Sequence, residues 1–261
     1  VTPLWVACDR CQSGVVALLL GNDAIDVNWA RPSDGQTALI KACERMNNDD
    51  VVKLLLAHSA VDVNKTNRDG TSALFQACHL NHVALVRLLL AHGEVDVNRA
   101  RVSYGDSPLY IACQEGHAAV TEMLLAQDTI DVNQGIQASR QNAGSIGSTP
   151  LFQACYLNRV AVVKQLLAHG AIDVNQGKAG SGASPLYAAC QEGHEAVVKL
   201  LLAHSAVDVN QANTIVGGST PLAGACNNGH EAVVKLLLAH AAIDVNRSDS
   251  QGRGPLFIAS A

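Results

Sequence analysis

Eight cysteines, ten histidines and twenty-three acidic residues are the side chains in this 261-residue sequence that could act as nucleophiles, redox thiols, metal ligands or acid–base pairs. Their spacing decides among these uses. Cys8, Cys43, Cys78, Cys113, Cys155, Cys190 and Cys226 follow one another at intervals of 35, 35, 35, 42, 35 and 36 residues, and Cys11 alone breaks the series. If each interval is one structural unit, with helices about 8–10 Å apart, successive thiols are too distant for a disulfide, whose Cα atoms must come within about 7 Å. The same separation opposes a shared tetrahedral zinc. The series reads as small buried side chains. Cys8 and Cys11 form a Cys-x-x-Cys with no second pair nearby, and Cys11 reads as a semi-exposed free thiol. Reduced thiols indicate an intracellular, cytoplasmic protein.

The histidines fall into registers as well. His82, His117, His194 and His230 precede apolar runs, where His117 is suited to stabilise entry to the helix that follows it. His58, His92, His169, His204 and His240 follow such runs, where a cation would complement a helix C-terminus. His79 stands alone. Asp-Val-Asn recurs with its asparagine at Asn28, Asn64, Asn98, Asn133, Asn175, Asn210 and Asn246, again spaced by whole units, so paired-carboxylate catalysis finds no home. Neither a Gly-x-x-x-x-Gly-Lys-Ser/Thr phosphate loop nor a Gly-x-Ser-x-Gly nucleophile elbow occurs. The expectation is a non-enzyme with no cofactor and no bound metal.

Apolar residues make up 48% of the chain against 16% charged, which supports a real core and opposes disorder. A net charge of -5 and only nine aromatic residues oppose a general nucleic-acid binder, which needs basic stripes and stacking rings. The longest aliphatic run, Val15 to Leu20, is far short of the roughly 20 residues of a membrane span, so no membrane insertion is expected. A first residue of valine rather than methionine suggests a fragment or a processed chain, and both ends read as cut.

Something must hold these registers. A Thr/Ser-Pro/Ala-Leu tripeptide recurs with its leucine at Leu4, Leu39, Leu74, Leu109, Leu151, Leu186 and Leu222, and Gly254-Pro255-Leu256 is a degraded eighth copy. In the unit from Ser107 to Asn133, Ser107 suits a helix N-cap and Pro108 the first helical position. Leu109, Ala112 and Cys113 then share one helical face. Gly116 is placed to end that helix in the left-handed conformation. A second helix points Val120, Met123 and Leu124 inward, and Asp131-Val132-Asn133 leaves in an extended path. Glycine recurs two residues before the cap position at Gly35, Gly70, Gly105, Gly147, Gly182, Gly218 and Gly252, which marks a turn with positive φ.

This pattern resembles the ankyrin repeat family, and the resemblance covers the whole chain. It is carried, for example, by Ser184-Pro185-Leu186, Gly193-His194, Val197-Val198-Lys199-Leu200-Leu201-Leu202 and Asp208-Val209-Asn210. The resemblance implies an all-α repeat fold, an ankyrin-type solenoid of helix-turn-helix units joined by β-turn or hairpin fingers. It is read as a single domain over 1–261. The units are approximately 2–28, 29–64, 65–98, 99–133, 134–175, 176–210 and 211–246, with a partial one at 247–261. An extended inter-repeat loop spans 134–148 and is either a neutral insertion or a clamp over a ligand. The family histidine after Pro-Leu is missing. Trp5, Ile40, Phe75, Tyr110, Phe152, Tyr187, Ala223 and Phe257 stand there, either as a ladder packing unit on unit or as the lining of a cleft.

The resemblance further implies a protein-interaction scaffold that binds a partner on its concave face, through finger tips and first-helix ends. The partner-binding candidates by register are Trp29, Arg31, Arg68, Arg101, Tyr104, Asp106, Glu115, Ile146, Tyr156, Glu192 and Asn228, with Val216 and Arg253 at further finger positions. Segments from each Asp-Val-Asn to the next cap hold nine basic residues, Arg140 among them, against four acids, among them Asp249. That balance favours an acidic or phosphorylated protein segment as partner, or simply keeps the loops soluble. Two other readings stay open. The chain could be an architectural spacer in a larger repeat array, or a substrate of asparaginyl hydroxylation at residues such as Asn98 or Asn175.

Overall fold

The computed structural model describes residues 1–45, 47–137, 143–214, 218–248, 252 and 254. The degraded copy at 254–256 apart from Gly254, Phe257 and the finger positions Val216 and Arg253 lie outside these residues, as do Arg140, Asp249 and the middle of the 134–148 loop. Among the described residues there are fourteen α-helices and no strand. Pro3–Asp9 (α1) pairs with Ser13–Leu20 (α2), Ala38–Cys43 (α3) with Asp49–Leu56 (α4), Ala73–His79 (α5) with Val83–Leu90 (α6), and Pro108–Glu115 (α7) with Ala118–Leu125 (α8). Then come Pro150–Tyr156 (α9) with Val160–Leu167 (α10), Pro185–Gln191 (α11) with Glu195–Leu202 (α12), and Pro221–Asn227 (α13) with Glu231–Leu238 (α14). Val1–Ile130 makes the bulk of one compact unit and the chain from Asp131 the bulk of a second.

Local chemistry explains each helix. Thr2, Thr37, Ser72, Ser107, Thr149, Ser184 and Thr220 hold extended backbone and accept through their hydroxyls from the N–H three residues on, at 3.1–3.4 Å. Proline occupies the first turn of α1, α7, α9, α11 and α13, where its missing N–H costs nothing. Each first helix then reverses through a residue of positive φ, among them Gly116 at 79° and Asn81 at 57°. Such helices are too short to stand alone in water. They persist because the leucine of every Thr/Ser-Pro/Ala-Leu tripeptide is buried together with second-helix pairs such as Val86 and Leu89 or Val198 and Leu201. In α8 the inward set is Val120, Thr121 and Leu124, so Thr121 takes the place expected for Met123, which is half-buried.

Neighbouring helix pairs are joined by polar side chains used in the same way each time. The Asp-Val-Asn aspartate turns back to accept from the N–H of its own asparagine at 2.9–3.1 Å. The asparagine reaches the following pair instead. The Asn64 amide donates to the Glu94 carbonyl (2.7 Å) and its oxygen accepts from the Asp96 N–H (2.7 Å). Asn28, Asn133, Asn175 and Asn210 make the same two bonds one pair further on.

The fingers are turns and not strands. Each is closed at its base by one hydrogen bond in constant register: Arg31 to Gln36, Asn67 to Thr71, Arg101 to Asp106, Ile136 to Ser148, Lys178 to Ala183 and Asn213 to Ser219. The extended loop therefore starts and ends as the other fingers do, with Ile136 buried. All seven register glycines have positive φ, from 61° to 83°. Tips also meet: the N–H of Arg68 donates to Asp34, that of Ser103 to Asp69 and that of Thr214 to Ser181. At Gly70 (φ 82°) the approach is so close that a Cβ would collide with the Val102 backbone nitrogen. Gly70→Ala should therefore lower stability by about 2 kcal/mol or more in denaturant unfolding. Gly93→Ala, where an added Cβ meets nothing within 4 Å, should stay within about 0.5 kcal/mol.

Candidate functional site

Fingers and first-helix ends carry the candidate residues, and the structure gives several of them intramolecular work. Arg101 is the most engaged. Its guanidinium donates to both carboxylate oxygens of Asp106 (2.8 and 2.7 Å) and lies between two rings, 4.4 Å from the Phe75 centroid and 4.2 Å from that of Tyr104. Asp106 is buried, so the pair is largely desolvated and each partner depends on the other. Arg31 repeats the arrangement in an earlier finger, stacked 4.5 Å from the Trp5 centroid and paired with Asp34. That pairing, with desolvation opposing it, holds the Asp34 carboxyl down at about 2. Arg68 donates to the carbonyls of Pro32 and Ser33 and so ties its finger to the one before.

The remaining candidates are placed apart. Trp29 is half-buried beside the Asp-Val-Asn turn, with its N–H on Asp26. Ile146 is half-buried near the end of the extended loop. Glu115 and Glu192 are exposed at the ends of α7 and α11 and accept from the adjacent Gln114 and Gln191. Asn228 donates to the carbonyls of Gln191 and Gly224. Tyr104 and Tyr156 keep 41% and 44% of their surface in solvent, a high share for rings of this size.

In the ring register, Tyr187 packs against the buried cluster of Phe152, Ala183 and Ala188, as unit-on-unit packing requires, and cations add to the rings. What covers Trp5, Phe75 and Phe152 is a cation from the finger that follows: Arg31, Arg101 and Lys178 respectively. The ring at Phe152 also borders a cleft of about 500 Å³ in the C-terminal unit, together with Tyr156, Tyr187, Ser148, Lys178 and Asn213. Tyr156 is a helix-end candidate read from sequence, and Lys178 and Ser148 stand in the fingers beside it. Phe152 and Tyr187 belong to the ring register, and only the fold brings the two sets together.

The histidines serve the frame. His117, His194 and His230 form no cap with their own helices. Their Nε2 atoms meet the carbonyls of His79, Tyr156 and Gln191, at the end of the preceding pair's first helix, at 2.9–3.1 Å. Buried Asn48 does the same in an earlier pair, donating to the Cys8 carbonyl (3.1 Å). His58, His169, His204 and His240, beyond the C-termini of second helices, accept through Nδ1 from the N–H two residues on (3.3 Å). Among the described residues no three His, Cys, Asp or Glu side chains gather as a metal site would require, and no helix is long and apolar enough to cross a membrane.

All eight cysteines are unbridged. Burial pushes the Cys8 and Cys113 thiols up to about 12, raises Cys43, Cys78 and Cys190 further, and holds Cys155 well above the ordinary thiol value. Cys11 is exposed and occupies the positive-φ turn position, at 54°, that glycine or asparagine fills in the other pairs.

A family model described as ankyrin repeats (3 copies) matches residues 1–67, 47–136, 132–213 and 205–261. Among solved structures, the crystal structure of the human ASB11 ankyrin repeat domain superposes with a TM-score of 0.71 at 26% identity, covering 94% of this chain and all of that one. No curated protein matches the sequence.

Two outcomes follow from the thiols. A thiol-specific reagent at neutral pH should modify Cys11 alone at once, Cys226 slowly, and the other six only on unfolding. Because folding raises these pKa values above the ordinary thiol value of about 8.5, the neutral thiol is the form the fold favours. Stability should be level below that pH and fall as pH rises from about 9 towards 12, read as the denaturant midpoint.

Proposed function

The chain belongs to the ankyrin repeat family, whose repeats are in general protein–protein interaction modules, and from that premise we propose that it is a non-catalytic scaffold of the cytoplasm. It forms one repeat domain with the unit boundaries read from sequence, and it captures a partner protein on the face formed by finger tips and first-helix ends. This is the concave face in the family. One observation carries the reading. On a frame whose caps, asparagines and histidines are committed to holding helix pairs together, Tyr104, Tyr156, Val102 and Leu80 remain exposed at those positions. Of these, the tyrosines are the residue type that hot spots favour, together with arginine, and Tyr104 stands against Arg101.

The charge of the fingers supports an acidic partner segment, with a narrower set of contributors than counting suggests. Arg31 and Arg101 already face Asp34 and Asp106, whereas the charges of Arg68 and Lys178 meet no carboxylate in an ion pair among the described residues. Association should therefore weaken with rising salt.

Affinity capture with the full chain, compared with Tyr104→Ala plus Tyr156→Ala and with the outer-helix control Glu231→Ala, tests the face. A partner kept by the control should lose about tenfold or more in affinity to the double variant. Equal retention by all three would refute the assignment.

A further inference from the structure

Two fingers of this chain share a register residue for residue and differ at the positions that matter. The N-terminal one runs from Arg101 to Asp106 and the C-terminal one from Lys178 to Ala183. Each is closed by a backbone hydrogen bond of 2.9 Å between its first and last residues. Arg101 covers Phe75 and Lys178 covers Phe152, 4.4 and 5.8 Å from the ring centroids. Phe75 and Phe152 precede these cations by the same number of residues. In the N-terminal finger, Tyr104 stacks on the cation and Asp106 pairs with it. In the C-terminal finger, Ser181 stands in place of Tyr104 and Ala183 in place of Asp106.

The consequence is a space and an unbalanced charge. The cleft of about 500 Å³ opens where the smaller residues stand, and it is lined by Lys178, Ser181 and Ala183 with Phe152, Tyr156 and Tyr187. Among the described residues Lys178 is the one charged side chain lining it, and no carboxylate of theirs lies within ion-pair distance of its ammonium. Ser148 and Asn213 also line the cleft, 1% and 7% exposed, and the Ser148 Oγ and Asn213 Oδ1 are buried without a hydrogen-bond partner. A buried polar oxygen left without a partner costs about 1–3 kcal/mol; the Ser148 hydroxyl can donate a hydrogen bond and the Asn213 Oδ1 can accept one, so the cleft offers a place to one acceptor and one donor of a ligand.

We propose that this cleft receives an aspartate or glutamate side chain of a partner protein segment. That carboxylate supplies to Lys178 what Asp106 supplies to Arg101, and a flanking apolar or aromatic side chain fills the space that Tyr104 fills in the N-terminal finger. The Ser148 hydroxyl donates to the incoming carboxylate, and Asn213 Oδ1 accepts from a backbone N–H of the same segment. A carboxylate rather than a phosphate is favoured because the chain's own equivalent finger holds a carboxylate against the same Phe–cation stack. A cationic segment is disfavoured by Lys178. The inference rests on the scaffold reading and adds to it a location and a ligand chemistry.

A displayed library of random dodecapeptides, selected on the full chain at low salt, provides the probe. Selected peptides should carry an Asp or Glu at one position. For a synthetic peptide from the selection, Asp→Asn or Glu→Gln at that position should weaken binding about tenfold, the effect of one partly desolvated ion pair. Lys178→Met, which keeps the stem over Phe152, should cost the same, and Ala183→Asp should close the site by pairing with Lys178. Lys178→Met decides the matter if Ala183→Asp fails to fold. Peptides that bind Lys178→Met undiminished, lack an acid, or bind only when phosphorylated would overturn the proposal. If such peptides lose affinity to Tyr104→Ala plus Arg68→Ala, the scaffold reading stands while the cleft assignment falls. A selection that returns no binder at all counts against both.

Discussion

One asparagine side chain, repeated, is the interaction on which the structure turns. A pair of seven- or eight-residue helices cannot bury its own apolar face and does not persist alone. It must be held against the next pair at a defined height. The amide of Asn64 does this by donating to one carbonyl of the following turn while accepting from a nearby N–H. The primary amide is suited to that task because donor and acceptor lie side by side and match an exposed backbone edge. The preceding aspartate fixes the angle of approach by holding the N–H of Asn64 (3.0 Å). Aspartate at the asparagine position would keep the acceptor and lose the donor.

This division of labour explains why, among the described residues, no three His, Cys, Asp or Glu side chains gather as a metal site would require. Cysteines fill the narrow space between adjacent first helices, where desolvation keeps them as thiols. His117, His194 and His230, at the start of second helices, meet carbonyls of the pair before. Both kinds are repeated once per unit, and a repeat spaces its copies too widely for ligands to converge. For Asn175 both amide functions are occupied by the next pair.

What varies between units is the finger, and there the balance of charge depends on local composition. The guanidinium of Arg101 satisfies a ring on each face and a carboxylate at its edge, which a planar cation alone can do. Lys178 in the same register is a point charge further from its ring. With serine and alanine in place of tyrosine and aspartate, one finger is self-contained and the other is open. The same register thus carries a closed ring–cation–carboxylate set in one finger and, with Gly180 at positive φ where Ser103 stands in the other, a cation beside a cleft.

The repeat, the helix caps, the positive-φ glycines and the burial of the cysteine series were legible in the sequence because each follows from a residue's own backbone or size. Ser107 caps and Gly35 turns through geometry that needs no distant partner. The partners of side chains that reach across units were not legible. Nothing in the order of residues says that His117 bonds to the His79 carbonyl, that His58 accepts from the Ala60 N–H, or that Thr121 displaces Met123 from the interior of α8. The fingers showed an excess of basic residues, but sequence alone could not separate a charge already matched, as at Arg101, from one left open, as at Lys178. Thus the sequence by itself determined the fold and its periodicity, since these are sums of local preferences repeated seven times. Tertiary structure alone decided which charges and rings face outward, because that depends on which side chains stand one unit away.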